Sequence, residues 1–115
     1  MSGEPSSPGM DRNAAMARVG GDAALLREIA GLFLTESEKQ IQEIRSAIAT
    51  GDAHAVEQAA HSLRGAVANF GAAAAVAAAQ RLEQLGSAGD LKDAAAALTA
   101  LERTLTTLCA ELRAL

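Results

Sequence analysis

The chain is 115 residues long and half hydrophobic, with a net charge of −4 and a single cysteine, Cys109. That length suits one domain with a real core, and one cysteine excludes a disulfide framework and points to a reducing compartment. The acidic balance, with no basic run and no aromatic–basic interleaving, speaks against nucleic acid as the main partner.

No stretch stays apolar for about eighteen residues and no signal peptide opens the sequence, so a cytoplasmic protein without direct membrane contact is expected. Only Phe33 and Phe70 are aromatic, while alanine and leucine dominate. Such a core should be all-helical and closely packed.

Residues 1–10 are rich in Ser, Gly and Pro and read as a flexible tail or linker. From Asp11 to Val19 a short helix can form, with Met16 and Val19 placed to cover one end of a bundle. Gly20-Gly21 breaks it, and Asp22 caps a long helix that runs to Thr50. Leu25, Leu26, Ile29, Leu32, Phe33, Ile41, Ile44 and Ile48 carry its apolar side. The polar middle, Thr35 to Gln40, predicts thin packing there. Its first half reads as plain core at Ile29 and Phe33, with an apolar docking lip as the alternative.

Gly51 ends that helix and Asp52 caps the next, which spans Asp52 to Phe70. Val56, Ala59, Ala60, Leu63, Val67 and Phe70 recur at helical spacing and form its buried stripe. Gly71-Ala72 is a tight break, and Ala73 to Leu85 resumes the helix on a stripe of Ala75, Ala78, Leu82 and Leu85. Ser87-Ala88-Gly89-Asp90 is a turn with its own cap. Beyond it Leu91, Ala94, Leu98, Leu101, Leu105, Leu108, Leu112 and Leu115 repeat with three–four spacing.

The predicted architecture is an all-α antiparallel four-helix bundle over residues 11–115, with a short extra N-terminal helix. The leucine seam also fits a coiled-coil dimer. A heptad helix that follows three other amphipathic helices more often closes a bundle within its own chain, so a monomer is expected. Cys109 lies beside the seam and reads as a passive small apolar residue.

One histidine stands apart from this scaffold. At about 100° per residue, His61 points roughly 140° away from the stripe of its helix, so it faces water. His54, Glu57, Arg64, Gly65 and Ala68 lie on the same side. A mid-helix glycine costs about 1 kcal/mol relative to alanine; at Gly65 it gives another protein close access to the imidazole. Arg64 can reach the same patch and favour an anionic group there. Across the Gly71-Ala72 turn, antiparallel helices bring residues 61 and 83 level. The Glu83 carboxylate can then accept a hydrogen bond from Nδ1–H and leave Nε2 as the outward nucleophile.

The run Ala60-His61-Ser62-Leu63-Arg64-Gly65, then Gly71-Ala72, then Leu82-Glu83 near Gly86, resembles the histidine-containing phosphotransfer (HPt) domain of bacterial phosphorelays. The likeness extends to Gly20-Gly21-Asp22 with Leu25-Leu26 and to Gly51-Asp52, and covers Asp11 to Leu115. It implies that His61 is phosphorylated, that Arg64 replaces the usual lysine, that Gly65 is the access glycine and that Glu83 orients the ring. Arginine keeps the charge of lysine but changes the donor geometry. Ala75 and Ala78 stand where the family often has larger aliphatics, which suggests closer helix packing.

The resemblance further implies a partner-binding rim of Glu57, Gly65, Ala68 and Asn69. Its implied partners are response-regulator receiver domains, which supply the magnesium ion, and a sensor histidine kinase. The chain binds no cofactor of its own on this reading and is a phosphoryl carrier, not a complete enzyme. With no G-x-x-x-x-G-K-[ST] loop, ATP binding is not expected. The tail fits a free protein, a remnant of the tether to a hybrid kinase, or a leftover of cloning.

Two rivals are weighed against this reading. His54, Glu57 and His61 share one wet face and could hold a metal ion, but inward carboxylates on several helices are missing. A non-catalytic dimerisation or scaffold bundle would use the leucine seam, yet it leaves Gly65 and the His61–Glu83 alignment unexplained. His54 itself reads as a solvated surface residue.

Overall fold

The computed structural model describes residues 9–115. Five helices follow one another: α1 (Arg12–Arg18), α2 (Ala23–Thr50), α3 (Ala53–Ala68), α4 (Ala73–Ala88) and α5 (Ala94–Arg113). Helices α2 to α5 form the four-helix bundle and α1 lies across one end. Aspartates start the first three helices. The side chains of Asp11, Asp22 and Asp52 accept hydrogen bonds from the backbone N–H groups of Ala14, Leu25 and Ala55 at 3.0–3.1 Å, which satisfies donors that a helix start leaves open.

The residues of the expected tail divide. Residues 1–8 lie outside the described residues, whereas Gly9 and Met10 are buried. The Met10 N–H donates to Glu111 Oε1 at 2.7 Å, and the Asp11 N–H donates to the Phe70 carbonyl at 2.9 Å. Gly9 and Met10 are therefore packed against the bundle ahead of α1. Gly71, with φ of +62°, makes the α3–α4 turn, and a Cβ there would lie 2.6 Å from Asp11 Cβ. Both conditions require glycine.

The core joins Leu26, Phe33 and Ile44 of α2 to Val56, Leu63 and Val67 of α3, Leu82 of α4 and the α5 leucines. Phe33 and Phe70 meet edge to face, with ring centroids 5.3 Å apart. Leu98, Leu101, Leu105, Leu108 and Leu112 are all buried within the chain. The seam that could have zipped a dimer is thus spent inside the bundle.

Local expectations on four helices need correction. On α2 the buried stripe is Leu26, Ala30, Phe33, Ser37, Ile44 and Ala47. Leu25 and Leu32 are 39% and 67% exposed. Helical spacing from Leu26 runs through an alanine and a serine, and the neighbouring leucines fall off it. The polar middle is thinly packed as expected: of Thr35 to Gln40 only Ser37 is buried, and its hydroxyl donates to the Leu34 carbonyl at 3.4 Å.

On α4 the stripe includes Ala79, while Ala78 is only half-buried. That helix also runs one turn further, through Gly86, and ends at Gly89 in the left-handed conformation. On α3, Ala59 is half-buried and lies at the edge of the stripe. Finally, α5 begins at Ala94, because Asp90 Oδ1 accepts from the Lys92 N–H at 3.1 Å and closes a local turn instead of capping the helix. No helix among the described residues is long and apolar enough to cross a membrane.

Candidate functional site

His61 lies in the middle of α3, on the side opposite the buried Val56, Ala60, Leu63 and Val67. Its side chain is 64% exposed. Glu83 lies across from it on α4, on the helical turn that carries the buried Leu82 into the core. Its side chain is only 20% exposed, so the carboxylate sits lower in the inter-helix groove than the imidazole. His61 Nδ1 and Glu83 Oε2 are 2.8 Å apart.

Arg64, one turn along α3, closes the group. Its Nε donates to Glu83 Oε1 at 2.6 Å and its Nη2 donates to Oε2 at 3.4 Å. This two-point grip on a carboxylate is the geometry for which a guanidinium is suited. The hydrogen bond from Arg64 is the main reason that the Glu83 carboxyl lies below its ordinary range; partial burial opposes the shift, and His61 reinforces it. Glu83 is therefore ionised at neutral pH.

An ionised carboxylate can only accept, so Nδ1 carries the proton and donates it to Oε2. Arg64 Nη2 is also 3.2 Å from Nδ1. With Nδ1 protonated, both groups are donors, and that approach is a proximity of charge and ring, not a bond. The lone pair of the neutral ring is then on Nε2, the nitrogen turned away from Glu83.

The structure brings His61, Arg64 and Glu83 together as expected, with one difference. The guanidinium is committed to Glu83 instead of standing free beside the imidazole. The side chains at 64 and 83 were read separately in the sequence, and neither reading paired them with each other. The signal was present, since both were placed within reach of the same ring.

Among the rim residues, Gly65 is exposed, and a Cβ there would meet nothing within 4 Å. Glu57 is half-buried, and its carboxylate lies 3.9 Å from His54 Nδ1. Ala68 is half-buried, and Asn69 is exposed at the C-terminal cap of α3. At 1.5 Å of rise per residue, Asn69 stands roughly 12 Å along the axis from His61. It flanks the group without joining it. Among the described residues, no three His, Cys, Asp or Glu side chains are grouped to hold a metal ion.

The sequence reading missed the interior role of Gly86. This residue is buried on α4, one turn past Glu83. A Cβ on it would lie 2.6 Å from the Glu57 N, 2.7 Å from the Ala53 carbonyl oxygen and 2.9 Å from the Glu57 Cα. The same signal that singled out Gly65, a glycine inside a helical pattern, was available here; the helix was ended one residue too early to use it.

Comparison with known proteins identifies the fold and the family. The fold is similar to the crystal structure of histidine-containing phosphotransfer protein B (HptB) from Pseudomonas aeruginosa PAO1, with a TM-score of 0.87, 24% identity and 94% of each chain covered. Among curated protein sequences, none matches significantly. The sequence profile of the Hpt domain matches residues 28–114, a span that holds His61, Arg64 and Glu83. The chain therefore belongs to the Hpt domain family, the phosphocarrier modules of histidine phosphotransfer in phosphorelays.

Proposed function

We propose that His61 accepts a phosphoryl group from the aspartyl phosphate of one receiver domain and passes it to the aspartate of another. The observation that supports this most directly is the exposed imidazole whose Nδ1 is held by an ionised Glu83 at 2.8 Å. In the forward step the Nε2 lone pair attacks phosphorus in line. The Nε2–P bond forms as the bond from phosphorus to the aspartate oxygen breaks, and that electron pair leaves with the aspartate carboxylate. No proton has to be removed first, because Nε2 carries none.

The ring gains positive charge in this step, and Glu83, already accepting from Nδ1–H, stabilises it. The charge of Arg64 offsets the anionic phosphoryl group while its Nε stays on Glu83. The magnesium ion and the reacting carboxylate belong to the receiver.

Gly65 leaves the approach to Nε2 open, and Glu57, Ala68 and Asn69 form the surrounding rim. The exposed Leu32 extends this surface beside a shallow hollow of about 200 Å³ lined by Ile29, Phe33, Ala66, Asn69 and Phe70. We take the protein to work as a cytoplasmic monomer, and its chemistry at His61 is the same whether it acts free or as a module of a hybrid sensor kinase.

The test is transfer from a phosphorylated receiver to the purified chain, followed as acid-labile, base-stable phosphate. His61→Gln is expected to abolish labelling with helix content unchanged. Labelling that survives the substitution, or that maps to His54, would end the proposal.

A further inference from the structure

We propose that Gly86 is a positioning residue for His61: its missing side chain lets α4 close on the backbone of α3, and this contact sets the distance at which Glu83 holds Nδ1. The inference rests on the functional reading above and adds to it the element that tunes the histidine.

Gly86 lies inside α4, where glycine is a poorer helix former than alanine. No turn explains it, because α4 continues past it to Ala88 and the left-handed residue is Gly89. The explanation lies across the interface. The atoms that a Cβ would meet are the Glu57 N, the Ala53 carbonyl oxygen and the Glu57 Cα, at 2.6–2.9 Å. All three are main-chain atoms of a helix and cannot swing aside as a side chain can.

The position of this contact matters. Gly86 is three residues after Glu83, and Glu57 is four residues before His61, so each pair shares a helix face. In an antiparallel pair the Gly86–Glu57 contact and the Glu83–His61 hydrogen bond are then successive rungs, one turn apart. A carbon–carbon contact is comfortable at about 3.5–4.0 Å. A methyl group at position 86 would therefore push the helices apart by roughly an ångström at the rung next to the site. A hydrogen bond of 2.8 Å does not survive that displacement unless Glu83 finds another reach.

Glycine at 65 presents the opposite case on the same helix pair. A Cβ there meets nothing within 4 Å among the described residues, so Gly65 has no part in the spacing.

The experiment uses Gly86→Ala in the full chain with ¹⁵N-labelled histidine. The tautomer of His61 is read from the ring nitrogen shifts of the unphosphorylated protein, and phosphoryl transfer is measured in parallel. The parent protein should show Nδ1–H. Removing a hydrogen bond to a charged group shifts such an equilibrium by about tenfold, so Gly86→Ala should show a rise of that order in the Nε2–H form and a comparable loss of transfer rate. Leu108→Ala, a buried change on α5, should lower stability and leave the tautomer as it was.

If Gly86→Ala does not fold alone, it is measured together with Gly31→Ala, an exposed α2 position where a Cβ meets nothing and alanine favours the helix. A parent-like tautomer in folded Gly86→Ala overturns the proposal, whatever happens to stability. Transfer that persists in His61→Gln would instead sink the functional reading, while the tautomer result still decides the role of Gly86.

Discussion

The two sides of the α3–α4 pair each hold a glycine within a helix, in its last turn, and the glycines answer to different constraints. On the inside, Gly86 is pressed against the backbone of α3. On the outside, Gly65 faces open space four residues beyond His61. The sequence signal is identical, a glycine where alanine would be the better helix former. The physical cause is packing within the chain in one case and, on the proposed function, room for a partner in the other. A glycine in a helical pattern therefore marks a close approach, and only its face tells what approaches.

The comparison can be broken or sharpened by substitution. The largest effect should come from the stripe between the two sides. Leu63→Ala empties a fully buried position and should cost about 2–5 kcal/mol of stability in a denaturant titration. Gly86→Ala comes next, with a loss of about 1–3 kcal/mol from overpacking, reduced by the helix preference of alanine. The same change at the outer site should carry the opposite sign. Gly65→Ala should gain up to about 1 kcal/mol, since its Cβ meets nothing. Equal signs at the two positions would erase the distinction.

Gly65→Leu then isolates the outer role. Thermal stability should stay near that of Gly65→Ala, while transfer from a phosphorylated receiver should drop by about tenfold or more through blocked docking. Unchanged transfer would remove the access argument.

The smallest effect is one of pH. The folded-state pKa of Glu83 is depressed below its ordinary 4.5, chiefly by Arg64. Its contribution to stability is therefore complete above the unfolded value and is lost as pH falls through the folded one. The stability difference between the parent and Glu83→Gln should be constant near neutrality and shrink below about pH 4.5. A difference that grows on acidification would contradict the direction of the shift.

Much of this was legible in the sequence because it rests on local rules. Asp22 and Asp52 marked two helix starts through capping, and the α3 period placed His61 outside. Counting from the Gly71-Ala72 turn brought Glu83 level with it. The misreadings arose where a residue's role is set by another element. Leu25 and Leu32 drew the α2 stripe toward themselves because leucine is the stronger hydrophobic signal, whereas Ala30 and Ser37 are buried by what packs over them. Arg64 was aimed at the ring because its bond to Glu83 depends on two helices at once. The helix read as Ala73 to Leu85 stopped short of Gly86, whose place in α4 is set by the backbone of α3.

The hydrogen bond from Met10 to Glu111 places residue 10 against the last turn of α5, and the bond from Asp11 to Phe70 puts the α3–α4 turn at that same pole. Probes placed at Met10 and Arg113 would therefore report on one and the same pole of the bundle.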